Sequence, residues 1–235
     1  MADNQFKRRN LTTGYTFTEV MVVAAIIGII AVSSAKLIGI LGQAKLRAES
    51  MQLLRMQSSR VLRDIEFDIN RMGHNINIIE QTEIIMRKDP LSAGCSTYYE
   101  ILFFASDEDN DGNMNQGDIW IRFATATVNG EAVLQRYEYE NPGPDGTYTN
   151  IVDTTTVPNI YHVEPVSIIN LTNPGIAADE FKIEFFTSSS AETSINDPRN
   201  ASTALITLTL RRHRFKFTAS RLILLHNILY GLQYR

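Results

Sequence analysis

Cysteine occurs once in these 235 residues, at Cys95, so no intramolecular disulfide can brace the fold. Stability has to come from a core, and a chain of ~200 residues can bury one of sufficient size. Proline is absent from position 1 to position 89, which leaves room for a long uninterrupted helix. The four histidines, His74, His162, His213 and His226, are scattered without metal-ligand spacing. There is no G-x-S-x-G and no glycine loop to cradle phosphate, so the chain is not read as an enzyme. Net charge is -4, and the clustered positive field of a nucleic-acid binder is missing. One short basic run, Arg211-Arg212-His213-Arg214 with Lys216, could meet an anionic surface or DNA. A solvated strand end or an inter-subunit ion pair is its simpler reading.

Charge is also absent from Val20 to Ala35, and this absence is the most informative. A basic leader with Lys7, Arg8 and Arg9 runs to Gly14, and Tyr15-Thr16-Phe17-Thr18-Glu19 follows. A lone carboxylate thus stands at the mouth of a membrane-length apolar segment. An ordinary anchor is expected to gain nothing from it, because a carboxylate near hydrocarbon is costly unless paired. From Lys36 onward the pattern turns amphipathic, with Leu46, Leu53, Leu54, Val61, Leu62, Ile65 and Ile69 at helical spacing. Residues 15 to about 72 therefore read as one helix, ~85 Å long at 1.5 Å per residue. Gly39 and Gly42 interrupt its middle and mark a bend or a close packing point. Gly73 is the expected stop.

After Gly73 the period becomes two. Strands are expected at 98–104, 119–123, 132–139, 181–186 and 204–210, with a hairpin at Asn129-Gly130. The Pro- and Gly-containing stretch 141–160 and the polar stretch 188–202 read as loops. The tail 217–235 suits either a short helix or a strand. Strands without alternating helices imply an antiparallel sheet. The fold class is α+β: a long N-terminal helix, apolar then amphipathic, packed on an antiparallel β-sheet head. The expected division is a leader at 1–14, a helix at 15–73 and a head at 74–235.

The start of the chain resembles the leader and first turns of type IV pilins and type II secretion pseudopilins. The resemblance implies cleavage after Gly14 by a prepilin peptidase, a new and N-methylated first residue at Tyr15, and Glu19 at the fifth position. Tyrosine stands where phenylalanine is more usual. In that family the glutamate is thought to meet the N-terminal amine of a neighbouring subunit, which fixes axial register while apolar side chains supply adhesion. Residues Val61 to Gly73 are similar to the helix end of PilW-type minor pilins and J-type pseudopilins. The implied life history is a single pass of the inner membrane, then an extracellular filament or periplasmic pseudopilus. Its partners there are other pilins or pseudopilins, and a PilW-type subunit has a role in priming assembly or at the tip. A conventional secretory signal, with Val20 to Val32 apolar and cleavage before Lys36, competes with this. It would release a calcium-stabilised binding or adhesin domain. An uncleaved anchor, as in a membrane-anchored enzyme, and a buried soluble helix are the remaining readings.

A second local signal spans Asp107-Glu108-Asp109-Asn110-Asp111-Gly112-Asn113-Met114-Asn115-Gln116-Gly117-Asp118. Oxygen donors at positions 1, 3, 5, 9 and 12, with glycine at 6, follow EF-hand spacing, with Asp in place of Glu at 12. Asp107, Asp109, Asp111 and Asp118 would donate carboxylate oxygens, Asn113 its main-chain carbonyl, and Asn115 its side chain directly or through water. The loop resembles those of dockerins. Its flanks read as strands, so Ca²⁺ would act here as a structural clip. A plain solvated Asp/Asn/Gly turn is the alternative.

Overall fold

A computed structural model of the chain describes residues 15–71, 84–88, 97–109, 115–143, 151–153, 160–186 and 201–225. One helix, α1 (Phe17–Asn70), precedes ten strands among these residues. They are β1 (Ile84–Lys88), β2 (Thr97–Ser106), β3 (Ile119–Val128), β4 (Glu131–Glu140), β5 (Val152–Asp153), β6 (Ile160–Tyr161), β7 (Ser167–Asn170), β8 (Ala177–Phe186), β9 (Thr203–Arg212) and β10 (Phe215–Leu224). The chain divides into two units, Met1–Ala48 and Glu49–Arg235. The first holds the apolar half of α1. The second holds the rest of α1 and every strand.

The larger sheet has eight strands in the order β10-β9-β8-β2-β3-β4-β7, with β1 paired to β2, and β5 and β6 form a small sheet of their own. All the pairings are antiparallel. This is the α+β arrangement expected from the period change after the helix. Between β3 and β4, Asn129 (φ 53°) and Gly130 (φ 81°) both lie in the left-handed region, the requirement of a type I′ hairpin.

The second half of α1 buries Leu54, Val61, Leu62, Ile65 and Ile69 against one face of the sheet, where they meet Phe103, Phe123, Ile183, Ile206 and Leu208. Each such burial contributes about 1.5–3 kcal/mol. On another face a smaller cluster joins Leu102, Phe104, Trp120, Tyr139 and Ile151, with Tyr137 and Tyr161 packed against it. Strand β2 is therefore covered on both sides, which explains why Ile101-Leu102-Phe103-Phe104 is apolar without alternation.

Polar contacts then set where α1 lies on the sheet. Gln57 Nε2 donates to the Leu171 carbonyl at 2.6 Å. Asp68 accepts from Arg136 Nε of β4 at 2.7 Å, and Glu66 pairs with Arg221 of β10 at 2.5 Å. One helix is thus tied to two strands far apart in the sheet order.

Two expectations are refined. The tail at 217–235, open between helix and strand, is strand as far as Leu224, and Thr209–Thr218 and Thr207–Ser220 hydroxyl pairs at 2.9 Å join it to β9, while residues 226–235 lie outside the described residues. The stretch read as a loop at 141–160 contains β5 and the first residue of β6. Gly73 and most of the 188–202 loop lie outside the described residues.

Candidate functional site

The first candidate is the start of α1. Gly14 lies outside the described residues, and Tyr15 is 84 % exposed. Thr16 and Glu19 bond reciprocally. The Thr16 amide donates to Glu19 Oε2 at 2.8 Å, the Thr16 hydroxyl to the same oxygen at 3.0 Å, and the Glu19 amide to Thr16 Oγ1 at 3.4 Å. This is a capping box, in which a Thr cap and a Glu three residues on satisfy each other's backbone amides. The expectation that an anchor helix gains nothing from Glu19 is corrected by this contact: the carboxylate stabilises the helix start. Both bonds to Glu19 fall on Oε2, so Oε1 is left for another partner.

Every residue from Tyr15 to Glu49 is exposed. The helix is long and apolar enough to cross a membrane, with a mean hydropathy of 2.3 over its most apolar stretch, none of it buried within the protein. Gly39 and Gly42 lie within the continuous helix, and apart from the helix's own adjoining backbone no atom of the described residues comes within 4 Å of the place a Cβ would occupy at either. Neither marks a packing point among the described residues.

The second candidate is the acidic loop between β2 and β3. Asp107, Asp109 and Asp118 bring one carboxylate oxygen each to within 4.8 Å of one another. Asp107 and Asp118 are buried. Asp118 anchors the loop: Oδ1 accepts the Glu108 amide at 3.2 Å and Oδ2 the Asn115 amide at 2.6 Å. Gly117, at φ 98°, makes the turn that precedes it, and its amide reaches the Asn141 carbonyl at 2.9 Å. Burial raises the Asp118 pKa, the two amide bonds oppose that, and the charges of Asp107 and Asp109 push it further up. Crowded, desolvated carboxylates of this kind fit a hard divalent cation, and oxygen-only donors fit Ca²⁺. Asn115 turns its side-chain N–H toward Asp109 Oδ2 at 3.0 Å, so its carbonyl faces away from that carboxylate. Asp111 and Asn113 lie outside the described residues.

A third constellation escaped the sequence reading. Glu100 Oε1 accepts from Arg122 Nε at 2.5 Å and from the Tyr161 hydroxyl. Arg122 Nη1 also donates to the Tyr139 hydroxyl at 3.2 Å, and the guanidinium lies 4.0 Å from the Tyr161 ring centroid and 4.6 Å from that of Tyr137. Tyr139 and Tyr161 stack at 5.4 Å. Burial raises the Tyr161 pKa, Arg122 opposes this, and Glu100 reinforces it. The tyrosine stays neutral and serves as a donor. These groups fasten β6 to the large sheet. Their positions are so far apart in the chain that no local pattern signals them.

No family model, curated protein or solved structure matches this chain.

Proposed function

We propose that this protein is a structural subunit of a type IV pilus-type filament, a minor pilin of PilW type with a role in priming assembly or at the tip. One observation carries the reading. A single continuous helix, α1, offers an exposed apolar half and packs its other half on a sheet, with Glu19 in its first turn. A soluble domain has no use for so much exposed apolar side chain, and an embedded or filament-packed helix does. In the proposed path the prepilin peptidase cuts after Gly14, and Tyr15 becomes the methylated N-terminus. The subunit waits in the inner membrane until neighbours extract it. Glu19 then meets a neighbour's amine. A charge in a dry helix bundle is costly unless paired, so this contact selects one register among many apolar ones. A J-type pseudopilin of a secretion system would use the same start, and the similarity of Val61 to Gly73 is shared by both. Neighbouring genes for a secretion apparatus would favour it.

Calcium, on the same proposal, is a clip for the head, held by Asp107, Asp109 and Asp118 with Asp111, Asn113 and Asn115. Extracellular modules of this sort bind with Kd of ~10⁻⁴ to 10⁻³ M.

The deciding measurement is the intact mass and N-terminal sequence of the mature protein from its host. A chain beginning at Tyr15 and heavier by one methyl group is expected. A chain beginning near Lys36 would replace this reading with that of a released, secreted domain.

A further inference from the structure

We propose that the tip of the β9–β10 hairpin docks onto the surface of an anionic bilayer, the one that holds the apolar half of α1. The proposal rests on the membrane reading above and names a second contact with that membrane. The hairpin turns at His213 and Arg214, and places Arg211, Arg212, Arg214 and Lys216 within six residues. Asp179 pairs with Arg211 at 2.8 Å and with Lys216 at 2.6 Å. Arg212 and Arg214 meet no carboxylate among the described residues, and Arg214 lies over the Phe215 ring at 5.3 Å. The tip therefore keeps an excess of positive charge in a protein whose net charge is -4.

Two contacts give the hairpin a direction. Arg55 lies over Phe217 at 5.7 Å, and Glu66 pairs with Arg221 at 2.5 Å. Strand β10 thus runs the same way as α1. The turn before it points back toward Glu49, where the chain enters this unit from the apolar run. Guanidinium forks bind phosphate oxygens in pairs, which suits phospholipid headgroups. Basic residues beside a membrane act within about a Debye length of an anionic surface, ~8 Å at physiological salt. Duplex DNA presents the same phosphate chemistry. The bilayer is favoured because the tip lies at the end through which the chain leaves for its apolar segment.

The test uses the full chain in lipid nanodiscs made of phosphatidylcholine alone or mixed with phosphatidylglycerol. Modification by neutral phenylglyoxal is followed by mass spectrometry at Arg212 and Arg214, with exposed Arg60 as internal reference. The expected result is slowing on the order of tenfold at the two tip arginines in the anionic discs only, reversed by salt, with Arg60 unchanged. Nanodiscs that hold the chain while Arg212 and Arg214 react equally fast in both lipids would overturn the docking proposal and leave the membrane reading standing. A chain that fails to enter either disc would overturn both. Shielding by added duplex DNA, without shielding by phosphatidylglycerol, would reassign the tip to nucleic acid.

Discussion

At the scale of single residues, the choice of substitution at Glu19 separates its capping contact from the role proposed for its charge. Glu19 caps α1 through Thr16, and on the filament proposal it also fixes register. Glu19→Ala removes both and loosens the helix start. Glu19→Gln keeps a capping-box side chain and removes the charge. We expect Gln to preserve amide-exchange protection over the first turn and still to fail in filament incorporation, with membrane insertion intact. Normal assembly by the Gln variant would show that register does not depend on the charge. Asp107 offers a similar separation for the loop. Calcium should raise the melting temperature of the wild-type chain, and Asp107→Ala should abolish that rise. If metal-stripped wild-type protein shows no shift, the clip is absent. Loss of Asp68 should be felt in the stability of the head. Its pair with Arg136 is nine-tenths buried on the acidic side. Asp68→Ala strands that guanidinium with only Glu138, and should cost about 3 kcal/mol in denaturant unfolding.

At the scale of elements, the fastening of β6 and the clamp on the β9–β10 hairpin lead to different experiments. Tyr161→Phe keeps the ring stacked on Tyr139 and deletes the bond to Glu100. A cost of about 1–2 kcal/mol is expected, with faster amide exchange in β5 and β6. Asp179 braces the hairpin beside its turn, through Arg211 and Lys216. Its burial alone would raise its pKa, but the bonds and charges of Lys216 and Arg211 outweigh that and lower it below the ordinary 3.8. An acid with a lowered folded pKa adds stability above its unfolded value and loses it as pH falls. Wild type and Asp179→Asn should therefore differ in melting temperature by a constant amount at neutral pH, and converge below pH 3.8. A gap that persists in acid would mean that Asp179 acts by packing. The helix shows the same division between halves. Its second half is stabilised by burial, whereas the first half has only its backbone bonds, its cap and whatever medium surrounds it.

At the scale of the whole molecule, features written in consecutive residues were legible and those assembled from distant ones were not. The helix was visible because proline is absent and the apolar residues keep its period to Ile69. The central strands were visible because β-rich runs are bounded by turn residues, and Asn129-Gly130 can adopt the left-handed pair a tight hairpin needs. The acidic loop was visible because its spacing is local, and Asp107, Asp109 and Asp118 do converge. Strands β5 and β6, of two residues each, are too short to show any period. The tail from Phe217 was ambiguous because Leu222, Leu225, Leu229 and Leu232 keep a helical spacing, while its apolar density also suits a strand. The Glu100–Arg122–Tyr161 cluster draws on three segments, and its energy exists only when burial removes water from all of them at once. Sequence alone determined the helix, the sheet class, the acidic loop and the apolar run, because each follows from backbone sterics and periodicity within a short window. Tertiary structure alone decided which carboxylate meets which arginine, which strands α1 bridges, and that Tyr161 donates to Glu100. Those choices depend on distances between atoms that the order of residues does not contain.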